Sequence, residues 1–273
     1  MPRLIDRIHQ VELGNLAQFI QLCQQLDLPY FLMGGSLLGA IRHQGFIPWD
    51  DDVDVGLLRA DYDRLLAQAP KLLTGTHYFL QTPTSDENYG LSYAKLLDRN
   101  TYIEEKNNVN NARKGIFIDI FPLDRIPLDT SLQREQMAKF QLLNTRILFQ
   151  LRYHLVDNPL RKLQSPLSPE QLAETNALKT ERDSVMTQYQ ADSSLLQVKN
   201  LASQYGYMKE VFPVAELSDL TPVPFEHLTV QVPATYAIIL TRMYGDYMAL
   251  PPENQRTEKH LERVIMDNQV FTD

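Results

Sequence analysis

The run Gly34-Gly35-Ser36-Leu37-Leu38-Gly39-Ala40-Ile41-Arg42-His43, resumed one residue later as Gly45-Phe46-Ile47-Pro48-Trp49-Asp50-Asp51-Asp52-Val53-Asp54-Val55, decides the fold. It follows Tyr30-Phe31-Leu32-Met33, a short apolar run that reads as a buried strand entering a turn. Two glycines let the backbone approach a bulky anion. A helix starting there, capped by Ser36 and ending near His43, would aim its free N–H groups at the same point. A phosphate-holding turn and a plain tight turn both fit these residues. Beyond the loop, Asp52-Val53-Asp54-Val55 alternates with period two, so a strand sends Asp52 and Asp54 to one face and the valines to the other.

Four carboxylates between Asp50 and Asp54 repel one another unless a cation or solvent intervenes. A solvated acidic turn accounts for Asp50 and Asp51. It accounts less well for Asp52 and Asp54, whose flanking valines need a buried face. Two carboxylates on one face suit Mg²⁺, with Mn²⁺ as the alternative, because these ions take oxygen ligands and keep room for substrate phosphate. An EF-hand loop is excluded, since Val55 stands where its turn needs glycine and Asp61 where it needs glutamate. A further acid, Asp119, interrupts Gly115-Ile116-Phe117-Ile118-Asp119-Ile120-Phe121. A charge on so apolar a strand must be paired, as with an arginine, or bound to metal.

Apolar spacing of three and four in Leu16, Phe19, Ile20, Cys23 and Leu26 predicts a helix over residues 4–27. Another follows near 60–69. Strands are expected at 77–81, 90–97, 101–104 and 116–121, the last stopped by Pro122. Residues 131–156 and 170–205 contain neither glycine nor proline and predict two long helices. A hairpin at 225–232 and a helix at 234–244 close the chain. The order implies an α/β fold: a mixed-sheet core in residues 1–127, a mostly helical block in 128–210, and a segment 211–273 packing back on the core.

The chain has 273 residues and a formal net charge of -8, which disfavours a protein that coats nucleic acid. Its single cysteine, Cys23, rules out an intrachain disulfide and any Cys-rich zinc site. The first residues show no apolar signal-peptide core, and no run of 18 apolar residues exists, so a cytoplasmic location is expected. Residues 136–163 combine Lys139, Arg146, Arg152, Arg161 and Lys162 with an apolar stripe of Phe140, Leu143, Ile147, Leu151 and Leu155. Such a helix either faces a core or docks on anionic lipid at the inner membrane face.

The two opening blocks closely resemble the LicD family, bacterial phosphocholine transferases of cell-surface glycans, with fukutin-related protein as a distant relative. Lys95-Leu96-Leu97-Asp98-Arg99-Asn100-Thr101, the stretch Gly115 to Asp124, and Tyr244-Gly245-Asp246-Tyr247 with Pro251, Pro252, Arg256 and His260 resemble later family blocks. The resemblance implies a nucleotidyltransferase-like core, a CDP-choline-like donor and a sugar hydroxyl acceptor, which could be lipid-linked. It also implies Mg²⁺ on Asp52, Asp54 and Asp119, with Asp50 as an outer ligand. Gly34, Gly35 and Ser36 would hold phosphate, and Asp119 or a neighbouring carboxylate would take the acceptor's proton.

Lys95 either meets a phosphate or is a surface lysine. Arg42 either binds phosphate or pairs with an acid, while Arg256 and His260 share a helical spacing without an assigned role. Trp49, with Phe46, either faces a quaternary ammonium or anchors the loop. Rival functions are transfer of ribitol phosphate or glycerol phosphate, nucleotidyl transfer, and nucleotide binding without catalysis. The chain carries neither a P-loop nor a Gly-x-Gly-x-x-Gly turn.

Overall fold

The computed structural model describes residues 3–105, 110–153, 166–256, 261–267 and 269–272. The first helix, α1 (Leu4–Leu26), buries Leu13, Leu16, Phe19, Leu22 and Cys23 along the expected stripe and turns off through Asp27 in the left-handed region. After it come β1 (Phe31–Leu32), α2 (Gly34–His43), β2 (Asp54–Leu58), α3 (Arg59–Leu72), β3 (Tyr78–Gln81), β4 (Ala94–Asp98), β5 (Tyr102–Glu105) and β6 (Phe117–Arg125). The mixed sheet runs β1-β2-β6-β4-β3. Its β2 and β6 are parallel, and the other neighbouring pairs are antiparallel. Helices α1 and α3 cover one face, where Val55, Leu96, Ile118 and Ile120 enter the main core. The other face carries the polar residues of the site.

Two departures from the sequence reading shape that face. Strand β6 does not stop at Pro122 but runs on to Arg125. Asp119 N–H donates to Val53 O, so the odd-numbered residues of β6 bond to β2. Pro122 therefore turns its missing donor to the opposite edge, where pairing with β4 ends at Ile120. The helix expected over 170–205 is α5 (Pro169–Thr187), packed on α4 (Thr130–Gln150). The chain then re-enters the sheet as β7 (Gln197–Lys199), which pairs with Asp124 and Arg125 of β6 and with β8 (Val211–Pro213). The predicted helical block thus hands the sheet a strand, and its loops reach over the polar face.

Past β8 lie α6 (Val214–Ser218), the expected hairpin β9 (Leu220–Phe225) and β10 (Leu228–Pro233), and α7 (Tyr236–Tyr244). The strands β11 (Leu261–Met266) and β12 (Gln269–Thr272) were not anticipated. They form a second antiparallel sheet with β5, so the end of the chain closes against its first half. In α4, Phe140, Leu143 and Ile147, with Leu151 at its C-cap, are buried in clusters shared with α5, while Leu142 and Phe149 face outward. Residues 154–163 of the proposed lipid-facing stretch lie outside the described residues.

Candidate active site

The centre of the site is a row across three strands. Asp54 on β2 is the register partner of Asp119 on β6, and Asp119 is the register partner of Lys95 on β4. Residues in register on neighbouring strands share a face. The alternation that sends Val55, Ile120 and Leu96 into the core therefore sends these three the other way. Lys95 Nζ lies 3.7 Å from Asp119 Oδ1 and 3.2 Å from the centre of the Phe117 ring. Lys95 is only 4% exposed, which discards its reading as a surface lysine. Asp119 has this lysine at hand rather than the arginine weighed from the sequence.

Asp50, Asp51 and Asp52 approach on the loop before β2, which is tied down from behind. His9 on α1 holds Asp50 O through Nε2 at 2.7 Å and stacks on Phe46 with ring centres 3.8 Å apart. Met33 N–H donates to Asp54 O, and Asp54 N–H donates to Ser36 Oγ at 2.8 Å. Gly34 has a φ of 52°, and a Cβ on it would meet Asp54 Oδ2 at 3.0 Å; a Cβ on Gly35 would meet Asp50 Oδ2 at 2.5 Å. The glycines therefore allow the helix start to sit against two carboxylates.

Asp50, Asp51, Asp52, Asp54, Lys95 and Asp119 line one cavity of about 760 Å³ together with Gly34 and Gly35. Its other walls come from places where sequence reasoning assigned nothing: Tyr93 and Phe121, Asn144 and Leu148 of α4, and Asn200, Ser203, Gln204, Tyr205 and Glu210.

A family model described as LicD/FKTN/FKRP, nucleotidyltransferase domain, matches residues 27–165 and so takes in the glycine turn, the acidic loop and the whole row. The chain belongs to the LicD family. It is 29% identical over 278 aligned positions to the lipopolysaccharide cholinephosphotransferase LicD of Haemophilus influenzae, covering 97% of this chain and all of that protein. A segment of 32 residues, 12% of this chain and 6% of the relative, is 62% identical to the human ribitol 5-phosphate transferase FKRP.

In this LicD-family cavity negative charge is in excess. Burial, then the charges of Asp52, Asp119 and Asp50, raise the Asp54 pKa well above the ordinary carboxylate value. Burial likewise raises that of Glu210. Behind the loop Glu12 of α1 is 2% exposed, and its Oε2 has no hydrogen-bond partner among the described residues. Burial and the charges of Asp52, Asp51 and Asp50 push its pKa up as well. Glu12 was missed because it stands among Ile8, Leu16 and Phe19 on the buried side of α1, where the apolar spacing alone drew the reading.

The donor set fits a hard divalent cation by its chemistry: oxygen ligands only, several charges, and at least one carboxyl held above its normal pKa by burial and neighbouring carboxylates. Among the described residues no three His, Cys, Asp or Glu side chains are gathered into a ready-made coordination shell.

Other predicted residues lie elsewhere. Ser36 is 4% exposed and serves β2 as an acceptor; it does not cap α2, whose N-cap is Met33. A hydroxyl two residues inside the helix meets a neighbouring strand's N–H rather than the helix's own end. Arg42 donates to the carbonyls of Tyr247 and Ala249 and so fastens the segment after α7. Trp49 stands edge-on to His43, with the Arg256 guanidinium 5.4 Å from its ring centre. Ser36, Arg42, Trp49 and Arg256 are not among the residues lining the cavity. His260 lies outside the described residues.

Proposed function

We propose that this LicD-family protein transfers phosphocholine, or a closely similar phospho-alcohol, from a CDP-activated donor to a sugar hydroxyl of a cell-surface glycan or its precursor. The observation that carries the reading is the in-register row Asp54–Asp119–Lys95 opening into a cavity with Asp50 and Asp52 at its side. The relation to LicD along the whole chain supplies the reaction class.

In this reading Asp52, Asp54 and Asp119 hold Mg²⁺, or Mn²⁺ in its place, with Asp50 as an outer ligand. The chemistry the ion supplies is neutralisation of the diphosphate and support of the departing CMP. Asp119 accepts the proton of the attacking hydroxyl, and Lys95 beside it favours the ionised carboxylate before that step and faces a phosphate oxygen. The acceptor oxygen–phosphorus bond forms as the phosphorus–oxygen bond to CMP breaks, giving a phosphodiester. Gly34 and Gly35 serve the site by seating Asp54 and Asp50.

The short, strong match to FKRP favours a second reading, ribitol phosphate transfer by the same residues. No helix among the described residues is long and apolar enough to cross a membrane. The test is CMP release by purified protein with Mg²⁺ and CDP-choline, CDP-ribitol or CDP-glycerol in turn. Pyrophosphate release from a nucleoside triphosphate would instead make it a nucleotidyltransferase.

A further inference from the structure

We propose that Tyr93, Phe121, Tyr205 and Glu210 form the seat of the donor's quaternary ammonium group, an inference that rests on the phosphocholine reading above. All four line the same cavity as the acidic row. Register brings the first two together. Ala94 is the partner of Ile120, so one step on Tyr93 comes beside Phe121, and their ring centres are 4.3 Å apart. Phe121 follows Asp119 by two residues on the same strand face, roughly 7 Å along the sheet. That is the scale of the two-carbon arm between a phosphate held at Asp119 and its ammonium head.

The opposite wall comes from the segment joining β7 to β8. Lys199 pairs with Val211, so Asn200 and Glu210 face each other, and Asn200 Nδ2 donates to Glu210 Oε2 at 3.4 Å. Glu210 is 3% exposed. Lys199 contributes to its field, but its Nζ is hydrogen-bonded to Tyr207 O at 2.7 Å. Tyr205 meets Tyr244 through its hydroxyl and edge-on through its ring, and it lines the cavity beside Glu210.

A trimethylammonium head donates no hydrogen bond. It is recognised by aromatic faces and by a carboxylate at short range, which Tyr93, Phe121, Tyr205 and Glu210 offer together. A ribitol or glycerol chain would need a line of donors and acceptors instead. The aromatics favoured by the sequence are committed elsewhere: Phe46 lies between His9 and Phe225, and Trp49 carries Arg256.

The experiment compares wild type with Phe121→Leu, Tyr93→Leu and Glu210→Gln, using CDP-choline turnover, inhibition by CMP, and calorimetric binding of phosphocholine. In each variant with a native circular dichroism spectrum, the donor KM should rise about tenfold, kcat should hold, and phosphocholine binding should weaken in step. Inhibition by CMP should not move. Unchanged KM values, or KM and CMP inhibition constants rising together, overturn the seat and leave the transferase reading standing. A wild type that consumes CDP-ribitol or CDP-glycerol but not CDP-choline overturns the phosphocholine reading, and the seat with it.

Discussion

Asp54→Asn separates stability from function at this site. The substitution keeps the shape of the side chain against Gly34 and leaves the backbone bond from Asp54 N–H to Ser36 intact. It removes one charge from a group of carboxylates. Two carboxylates on neighbouring strands, ~5 Å apart, repel by about 3 kcal/mol at an effective dielectric of 20. Lys95 beside Asp119 cancels part of that. The net gain without metal is about 1.5 kcal/mol, or roughly 3–6 °C in Tm for a chain of this size.

The sign with pH follows from the raised pKa of Asp54. A carboxyl that holds its proton more tightly when folded contributes stability that is complete below its unfolded pKa and is lost as pH rises from there through its folded pKa. The advantage of the variant should therefore be largest near neutrality and shrink toward about pH 4, the ordinary carboxylate range. Mg²⁺ at ten times its dissociation constant should stabilise wild type by about 1.4 kcal/mol and the variant much less. The assay is thermal unfolding across pH in EDTA and in Mg²⁺, beside CMP release, which the variant should lose. A variant less stable than wild type in EDTA, or one that gains as much from Mg²⁺, would refute the reasoning.

Ser36→Ala should cost about 1–3 kcal/mol, read by urea unfolding, because Asp54 N–H loses its acceptor; the donor KM of the remaining activity should not change. Asp124→Asn should cost about 3–5 kcal/mol, since Arg59, 3% exposed, is held by both Asp124 oxygens at 2.6 and 2.8 Å and would be left with an uncompensated buried charge. Its more exposed neighbours Asp63 and Asp183 touch Nη1 at 3.5 and 3.4 Å and do not replace that pair. Trp49→Ala should lower Tm through lost packing and leave the donor KM within about twofold, because the ring anchors the loop and Arg256 outside the cavity.

Local periodicity made the core legible. Alternation around Asp54 and the lone charge of Asp119 in an apolar strand marked the two positions, and these do adjoin. Spacing of three and four in α1 marked its buried stripe. What stayed hidden depends on pairing between distant residues. That Lys95 stands in register with Asp119 follows from how β4 and β6 align, which neither segment encodes by itself. The far wall of the cavity is built from a stretch that reads as helix because it lacks glycine and proline; both are dispensable in a loop that folds back through Asn200 and Tyr205 without left-handed turns. Pro122 misled for a related reason, since a proline ends a strand only where the edge its missing N–H would face is paired.

The charge balance of the cavity carries one consequence for the order of events. Asp50, Asp51, Asp52, Asp54, Asp119 and Glu210 stand against a single Lys or Arg, Lys95, among its described lining residues. The proposed CDP-activated donor would bring a diphosphate into that field, so donor and site would repel until positive charge arrives. The helix start at Gly34 offers only a partial charge, and two carboxylates already lie against it. Under the proposed reaction the cation would therefore bind before the donor or with it. Calorimetric titration of CDP-choline should show no binding in EDTA and should recover with Mg²⁺. Lys95→Met should weaken donor binding while leaving Mg²⁺ affinity equal or higher, because its removal exposes more of the charge on Asp119. Donor binding of full strength in EDTA would mean that the protein alone neutralises the diphosphate, and that the acidic row is not a cation site.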